Sequence, residues 1–300
     1  MPSGVPIRFE GVSKHFGSVQ AVNDLSFTVE PGRVTGFLGP NGAGKTTSLR
    51  MLLGLVRPTS GSATFDGTAY RDLERPLETV GAALEAASFH PGRSARNHLN
   101  VYAIAAGLSA TRVDRVLDQV GLTQYADRRV GGYSLGMRQR LGLANALLGD
   151  PGVLVLDEPV NGLDPEGIRW IRGFLREMAA EGRTVLVSSH LLSEVQQSVD
   201  DVVILAKGRL VHRGPLTSLG AESTVRTTVD SPDRAALRAA LSETGHRFEE
   251  TAEGFVVLDV GATEVGRTAH LARVPLSALH AQQSGLEDRF LALVNGEGLR

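Results

Sequence analysis

The segment GPNGAGKT, which occupies residues 39–46, says most about the architecture of this chain. A glycine, four residues, a second glycine, a lysine and a threonine have the spacing of a phosphate-binding loop. A compact apolar run over residues 34–38 precedes it, as a buried strand would, and a helix is predicted over residues 44–55. Strand, loop and helix together predict an α/β fold with a nucleoside triphosphate site, in preference to an ordinary glycine-rich turn.

Each part of this loop is suited to a polyphosphate. Small residues let successive backbone N–H groups curl around the phosphates, and the helix N-terminus adds partial positive charge. Lys45 is expected to meet the β and γ phosphates, and the hydroxyl of Thr46 to ligate magnesium. The predicted nucleotide-binding residues here are Gly39, Pro40, Asn41, Gly42, Ala43, Gly44, Lys45, Thr46 and Thr47.

Two carboxylates follow a second buried strand, predicted over residues 153–156. Asp157 and Glu158 then lie at the carboxyl edge of a parallel sheet, beside the phosphate loop. Taken alone, two acids after a strand are usually a solvated turn. With the loop beside them, we expect Asp157 to hold magnesium and Glu158 to polarise the attacking water.

Further motifs follow in a fixed order. They are YSLGMRQR at residues 133–140, DEP at 157–159, NGLDP at 161–165 and SSH at 188–190. With the phosphate loop they resemble the ABC ATPase family over residues 7–214. The resemblance implies a P-loop NTPase fold, ATP and Mg²⁺ as cofactors, and ATP hydrolysis.

The resemblance also implies roles for residues outside the phosphate loop. Ser134 is predicted to be a helix N-cap and, with the Gly136 N–H, a second anion site. In this family that segment contacts the nucleotide of a second subunit, which implies a homodimer with Asp164 at its seam. His190 resembles the histidine that contacts the γ-phosphate and is counted as catalytic with Glu158 and Lys45. Phe16 resembles the aromatic that stacks on adenine, and a core position is its alternative.

The expected organisation is an ATP-binding domain at residues 1–220 and an accessory domain at 221–300. The first has a central mostly parallel sheet, an antiparallel β subdomain and a helical insert at about residues 86–150. The second is predicted to be a small α+β unit with strands near residues 225 and 255–260, a helix after Ser231 and a final helix. Its role is dimerisation, partner docking or stabilisation.

The chain departs from the family pattern at four positions. Tyr133, Leu135 and Met137 replace the usual leucine, glycine and glutamine, and Glu85 stands where a glutamine is expected. Glu85 is interpreted as a third magnesium ligand, with a surface glutamate as the alternative. These departures resemble the drug and antibiotic export branch, which includes bacitracin and daunorubicin resistance ATPases.

Composition limits the partners. A net charge of -2 over 300 residues supplies no global positive field, so no nucleic acid partner is expected. No apolar run approaches the roughly 20 residues that cross a bilayer. The chain is therefore expected at the cytoplasmic face of the membrane, bound to a separate integral membrane permease that exports a drug, antibiotic, peptide or lipid-like substrate. The alternatives to an exporter ATPase are an importer ATPase and a soluble ABC ATPase that acts on the ribosome or DNA.

Overall fold

A computed structural model describes residues 3–84, 89–220, 225–283 and 286–296. Two compact units are present, one built by the chain up to Leu216 together with the chain from Leu293 onward, and the other spanning Thr217–Ala292. The domain boundary expected at residue 220 remains a prediction. Within the described ranges, no helix has both the length and the apolar character needed to cross a membrane.

The strands of the first unit are β1 (Ile7–Phe16), β2 (Val19–Val29), β3 (Val34–Leu38), β4 (Ser60–Phe65), β5 (Val80–Ala83), β6 (Val153–Asp157), β7 (Thr184–Ser189), β8 (Asp201–Ala206) and β9 (Arg209–Pro215). Its helices are α1 (Lys45–Leu52), α2 (Pro76–Thr79), α3 (Ala95–Ala105), α4 (Ala110–Gln119), α5 (Leu135–Ala146), α6 (Pro165–Ala180) and α7 (Leu192–Val195), followed by α8 (Leu216–Gly220). Short 3₁₀ turns occur at Tyr70–Asp72, Thr123–Tyr125 and Val130–Gly132.

The central sheet has the order β5-β6-β7-β3-β8-β9, and every pairing in it is parallel except that of β8 with β9. The predicted mostly parallel sheet is therefore confirmed. Strands β3 and β7 are buried along their whole length, because continuous apolar runs suit strands covered on both faces. The predicted hairpin of β8 and β9 is present, and its turn is formed by Lys207-Gly208. Both residues have positive φ angles, as a tight two-residue turn requires.

An antiparallel sheet of order β2-β1-β4 forms the second layer of this unit. Buried and exposed residues alternate at the start of β1, so one face turns inward. Phe27 stacks on Phe9 at 4.5 Å between ring centroids and on Phe37 of β3 at 5.4 Å. These rings join the two sheets in one apolar core.

The predicted helical insert is built from α3, α4 and α5. Each of these helices begins at a serine N-cap, Ser94, Ser109 and Ser134, whose hydroxyl accepts a hydrogen bond from a first-turn N–H. Val113, Val116 and Leu117 of α4 are buried, as their spacing on one helix face predicts. The N-caps predicted at Ser109 and Ser134 are confirmed.

The second unit contains β10 (Val225–Asp230), α9 (Arg234–Glu243), β11 (Phe248–Thr251), β12 (Gly254–Leu258), α10 (Ala262–Leu271) and β13 (Ala278–Gln283), and α11 (Leu286–Asn295) follows. The antiparallel sheet has the order β11-β12-β10-β13, the arrangement of a ferredoxin-like βαββαβ fold. Leu237, Leu241, Phe255 and Val265 are in its core. The predicted α+β character is confirmed, but the sequence patterns did not predict β11, α10 and β13. The helix predicted after Ser231 is α9, and its N-cap is Asp233, which accepts a hydrogen bond from the Ala236 N–H.

Candidate active site

The phosphate loop joins β3 to α1. Its last glycine, Gly44, has φ of 101°, and a Cβ at this position would lie 2.6 Å from the Ala21 carbonyl oxygen. Only glycine fits there without a backbone shift. Gly44 has no side chain to cap the first turn of α1, so the N–H groups at the helix start are left for an anion.

The loop lines a pocket of about 340 Å³. The lining residues are Ala21, Pro40, Asn41, Gly42, Ala43, Gly44, Lys45, Thr46, Thr47, Glu158, Asn161 and His190. Most of the predicted nucleotide-binding residues and two of the predicted catalytic residues outside the loop therefore share one cavity. Ala21 and Asn161 were not predicted as site residues. Ala21 gave no sequence signal, whereas Asn161 belongs to the NGLDP motif.

Lys45 is held inside this pocket with only 6% of its side chain exposed. Its Nζ donates to the Gly39 carbonyl oxygen at 2.6 Å and lies 3.5 Å from Oε1 of Glu158. Burial lowers the pKa of the Lys45 ammonium, and the Glu158 carboxylate acts in the opposite direction. A phosphate placed here would compete with Glu158 as the anionic partner of the buried ammonium.

Ser188 organises the two acids, although the motif spacing predicted no role for it. Its Oγ donates to Oδ1 of Asp157 and accepts a hydrogen bond from the Glu158 N–H at 2.9 Å. The contact arises because β6 and β7 are parallel neighbours in which Asp157 is paired with Ser188. Its place in the SSH motif, at the end of a buried strand, was the signal that could have found it.

Glu158 has a left-handed backbone, with φ of 49°. This conformation is costly for a residue with a Cβ and occurs chiefly in tight turns and at active sites. Oε2 of Glu158 lies 2.9 Å from Nδ1 of His190. A carboxylate accepts hydrogen bonds, so the contact places the imidazole proton on Nδ1 and orients the Glu158 side chain.

The residues predicted to hold magnesium can be tested by their donor atoms. Thr46 Oγ1 donates to Oδ2 of Asp157 at 2.8 Å, so a hydroxyl and a carboxylate oxygen meet beside the phosphate loop. Oxygen donors of this kind suit Mg²⁺, which is held by one or two protein ligands together with phosphate oxygens. The two residues fit the ion. Glu85, the third expected ligand, lies outside the described residues.

Six of the predicted site residues that the structure describes do not line this pocket. Gly39 and Asp157 contact its lining residues Lys45 and Thr46, and the other four are Phe16, Ser134, Gly136 and Asp164. Ser134 is exposed and accepts from the Met137 N–H at 3.3 Å, and Gly136 is next to Leu163. Asp164 accepts from the Gly167 N–H at 2.8 Å as the N-cap of α6. Phe16 is half exposed, with Lys14 Nζ 4.9 Å from its ring centroid, so it is not the core residue of the alternative interpretation.

The fold and this pocket define a P-loop nucleotide-binding protein. Residues 22–161 match the sequence profile described as "ABC transporter", and residues 225–287 match one described as a domain of unknown function. The chain is 33% identical over 300 residues to the bacitracin transport ATP-binding protein BcrA of Enterococcus faecalis, covering 98% of this chain and 97% of the relative. It is 38% identical over 302 residues to the Nod factor export ATP-binding protein I of Burkholderia lata, covering 97% and 98%.

A solved structure described as the ATP-binding subunit of an ABC transporter is 26% identical. It has a TM-score of 0.65 and covers 72% of this chain, with 92% of its own length matched. The chain belongs to the ABC transporter ATP-binding family. It is an ATPase subunit of the ABC type.

Proposed function

We propose that this chain is the ATP-hydrolysing subunit of an exporter, acting through a separate membrane subunit on a drug, antibiotic, peptide or lipid-like substrate. The observation that carries the proposal is the extent of the similarity. Relatives named for bacitracin transport and Nod factor export match more than nine-tenths of this chain, so the second unit is included as well as the ATPase. An importer would be expected to resemble relatives named for uptake over that length.

In the proposed reaction the N–H groups of the phosphate loop bind the triphosphate, and Lys45 transfers its contact from Glu158 to a phosphate oxygen. Glu158, freed from Lys45 and oriented by His190, accepts a hydrogen bond from the attacking water. Thr46 and Asp157 would hold Mg²⁺, which neutralises charge on the phosphates. Ser188 keeps both acids in place throughout.

We infer that the working unit is a homodimer. The N-terminus of α5 is a suitable anion site, with exposed Ser134 at its N-cap, yet neither Ser134 nor Gly136 lines the described pocket of its own chain. A second copy whose pocket faces this helix end would use both groups. Asp164, which begins α6 beside the same helix end, would then lie at the seam.

A groove on the first unit is the proposed surface for the membrane partner. Its volume is about 540 Å³, and it is lined by Leu55 after α1 together with Phe89, His98 and Tyr102 of the helical insert. Leu55 is 67% exposed and Tyr102 is 45% exposed. An apolar helix of a partner could bury such side chains. Docking there would hold the chain at the cytoplasmic face of the membrane.

The test is capture of the tagged Glu158→Gln chain from detergent-solubilised native membranes in the presence of ATP. An integral membrane protein should be recovered, and Leu55→Asp, at a 67% exposed residue of the groove, should abolish its recovery. Val19→Asp, at a 64% exposed residue of β2, is the matched control and should leave recovery unchanged. Ribosomes or nucleic acid in place of a membrane protein would contradict transport, and a substrate-binding protein in the complex would contradict export.

A further inference from the structure

Arg140 of α5 connects three helices of the first unit. It lies six residues after Ser134, or about one and two-thirds turns along the helix. Its Nη1 donates to the carbonyl oxygen of Val120, the C-cap of α4, at 3.1 Å. On its other side the guanidinium carbon lies 4.1 Å from the ring centroid of Trp170 in α6. We call this set, Arg140 with the Val120 carbonyl and the Trp170 ring, the arginine clamp.

Both contacts of the clamp favour arginine over other cations. The carbonyls at the end of α4 carry partial negative charge, which attracts a cation and leaves acceptors to be satisfied. A planar guanidinium can donate in its plane while its face stacks on an indole, which a lysine ammonium cannot do. Trp170 is itself held by Phe174, whose ring stacks on it at 5.5 Å with an interplanar angle of 17°. Phe174 is 6% exposed, so the clamp rests on the core.

The N-terminal end of α5 also contacts the segment before α6. A Cβ on Gly162 would lie 2.6 Å from Cδ2 of Leu135, and one on Gly136 would lie 3.6 Å from Cδ2 of Leu163. This segment runs from Glu158 to the N-cap Asp164. The direction of α5 is therefore set at its first residues by residues 162–163 and farther along by Trp170.

We propose that Arg140 is a positioning residue, which sets the direction in which the N-terminus of α5 presents Ser134 and Gly136 to the nucleotide of a second chain. This inference rests on the homodimer proposed above. Arg140 is not among the described residues that line the phosphate-loop pocket, and neither Val120 nor Trp170 is. Its loss should weaken closure of the dimer on ATP and leave nucleotide binding to the phosphate loop of each chain intact.

The experiment compares Arg140→Gln, Arg140→Lys and the matched control Arg169→Gln, an exposed arginine one residue before Trp170. Arg140→Gln should raise the ATP concentration for half-maximal hydrolysis on the order of threefold to tenfold, the size of a partly exposed cation–π contact. ADP affinity and melting temperature should stay close to those of Arg169→Gln. Arg140→Lys keeps the charge without the planar stack, so its half-maximal ATP concentration should lie between those of the unaltered chain and Arg140→Gln. This variant also tests the inference if Arg140→Gln does not fold.

Trp170 supplies a spectroscopic readout because it is the only tryptophan in the sequence. In the Glu158→Gln background, ATP should change its emission, and Arg140→Gln should remove that change. An unchanged half-maximal ATP concentration for Arg140→Gln would overturn the inference. If Arg140→Gln instead lowers ADP affinity and melting temperature as much as it weakens the response to ATP, Arg140 only stabilises the fold.

Dimerisation separates this inference from the proposal on which it rests. If the Glu158→Gln chain does not dimerise with ATP, the homodimer is wrong and the inference is overturned with it. If it dimerises, and the double variant with Arg140→Gln dimerises at the same ATP concentration, only the role of Arg140 is wrong. Sedimentation velocity over an ATP series measures both.

Discussion

Replacing Ser188 by alanine should uncouple ATP binding from hydrolysis. The Ser188 side chain is fully buried, and its Oγ joins the carboxylate of Asp157 to the backbone N–H of Glu158. No other described hydrogen bond joins these two acids. Without the hydroxyl, the Asp157 carboxylate loses a donor and the Glu158 N–H loses its acceptor.

The size of the effect follows from these two bonds. A hydrogen bond to a charged group contributes about 1.5–3 kcal/mol, and a buried donor left unpaired costs about 1–3 kcal/mol. A combined loss of about 3 kcal/mol in the transition state would lower kcat roughly 100-fold, because about 1.36 kcal/mol corresponds to a factor of ten. The phosphate loop does not use Ser188, so ATP affinity should remain close to that of the unaltered chain.

Phosphate release at saturating ATP measures kcat, and titration with ATP in the Glu158→Gln background measures affinity. Ser198→Ala is the matched control, because Ser198 is also buried and its Oγ donates to a backbone carbonyl, that of Val195, at 2.9 Å. Ser198→Ala should lose stability but little kcat. If Ser188→Ala hydrolyses ATP within about threefold of Ser198→Ala, Ser188 does not position the acids.

Three further predictions concern other parts of the first unit. Gly44→Ala places a methyl group 2.6 Å from the Ala21 carbonyl oxygen, at a residue whose φ is 101°. ATP affinity measured by calorimetry should therefore fall by more than about tenfold. Unchanged affinity would show that the loop adapts to the methyl group. Glu158→Gln should keep ATP affinity while lowering phosphate release by about 100-fold or more, and retained turnover would remove Glu158 from its role. Burial, together with the charge of Arg93, lowers the pKa of His98 in the folded chain. Just below about pH 6.5 the unfolded chain therefore binds more protons at this residue than the folded chain does. Stability consequently falls as the pH falls through that window. The melting temperature of His98→Gln should therefore drop less than that of the unaltered chain between about pH 7.5 and about pH 5.5, and equal drops would contradict this assignment.

Sequence patterns predicted the elements whose signals are local. The strand Val34–Leu38, the phosphate loop and the start of α1 follow one another within about twenty residues, and each has its own short-range signature. The hairpin at Lys207-Gly208 was predicted for the same reason. β11 was missed because three of its four residues, Glu249, Glu250 and Thr251, are exposed and show no apolar alternation.

In the candidate site, too, the sequence predicted residues with a local motif but not positions that depend on the tertiary fold. Motif spacing pointed to Lys45, Asp157, Glu158 and His190, and the structure brings all four together around the phosphate loop, while their roles remain predictions. The position of Phe16 relative to the pocket could not be obtained from spacing. Phe16 ends β1, and its distance from the phosphate loop after β3 depends on how the two sheets pack.

Family membership, nucleotide class and the presence of the buried strands could all be inferred from residue types and their spacing along the chain. The place of Ser188 between two acids could not, because it depends on the register of β6 against β7, which pairs residues about thirty positions apart. The stacking of Arg140 on Trp170 likewise depends on how α5 packs against α6. Such contacts are products of strand register and helix packing, which the whole core sets and no short segment encodes.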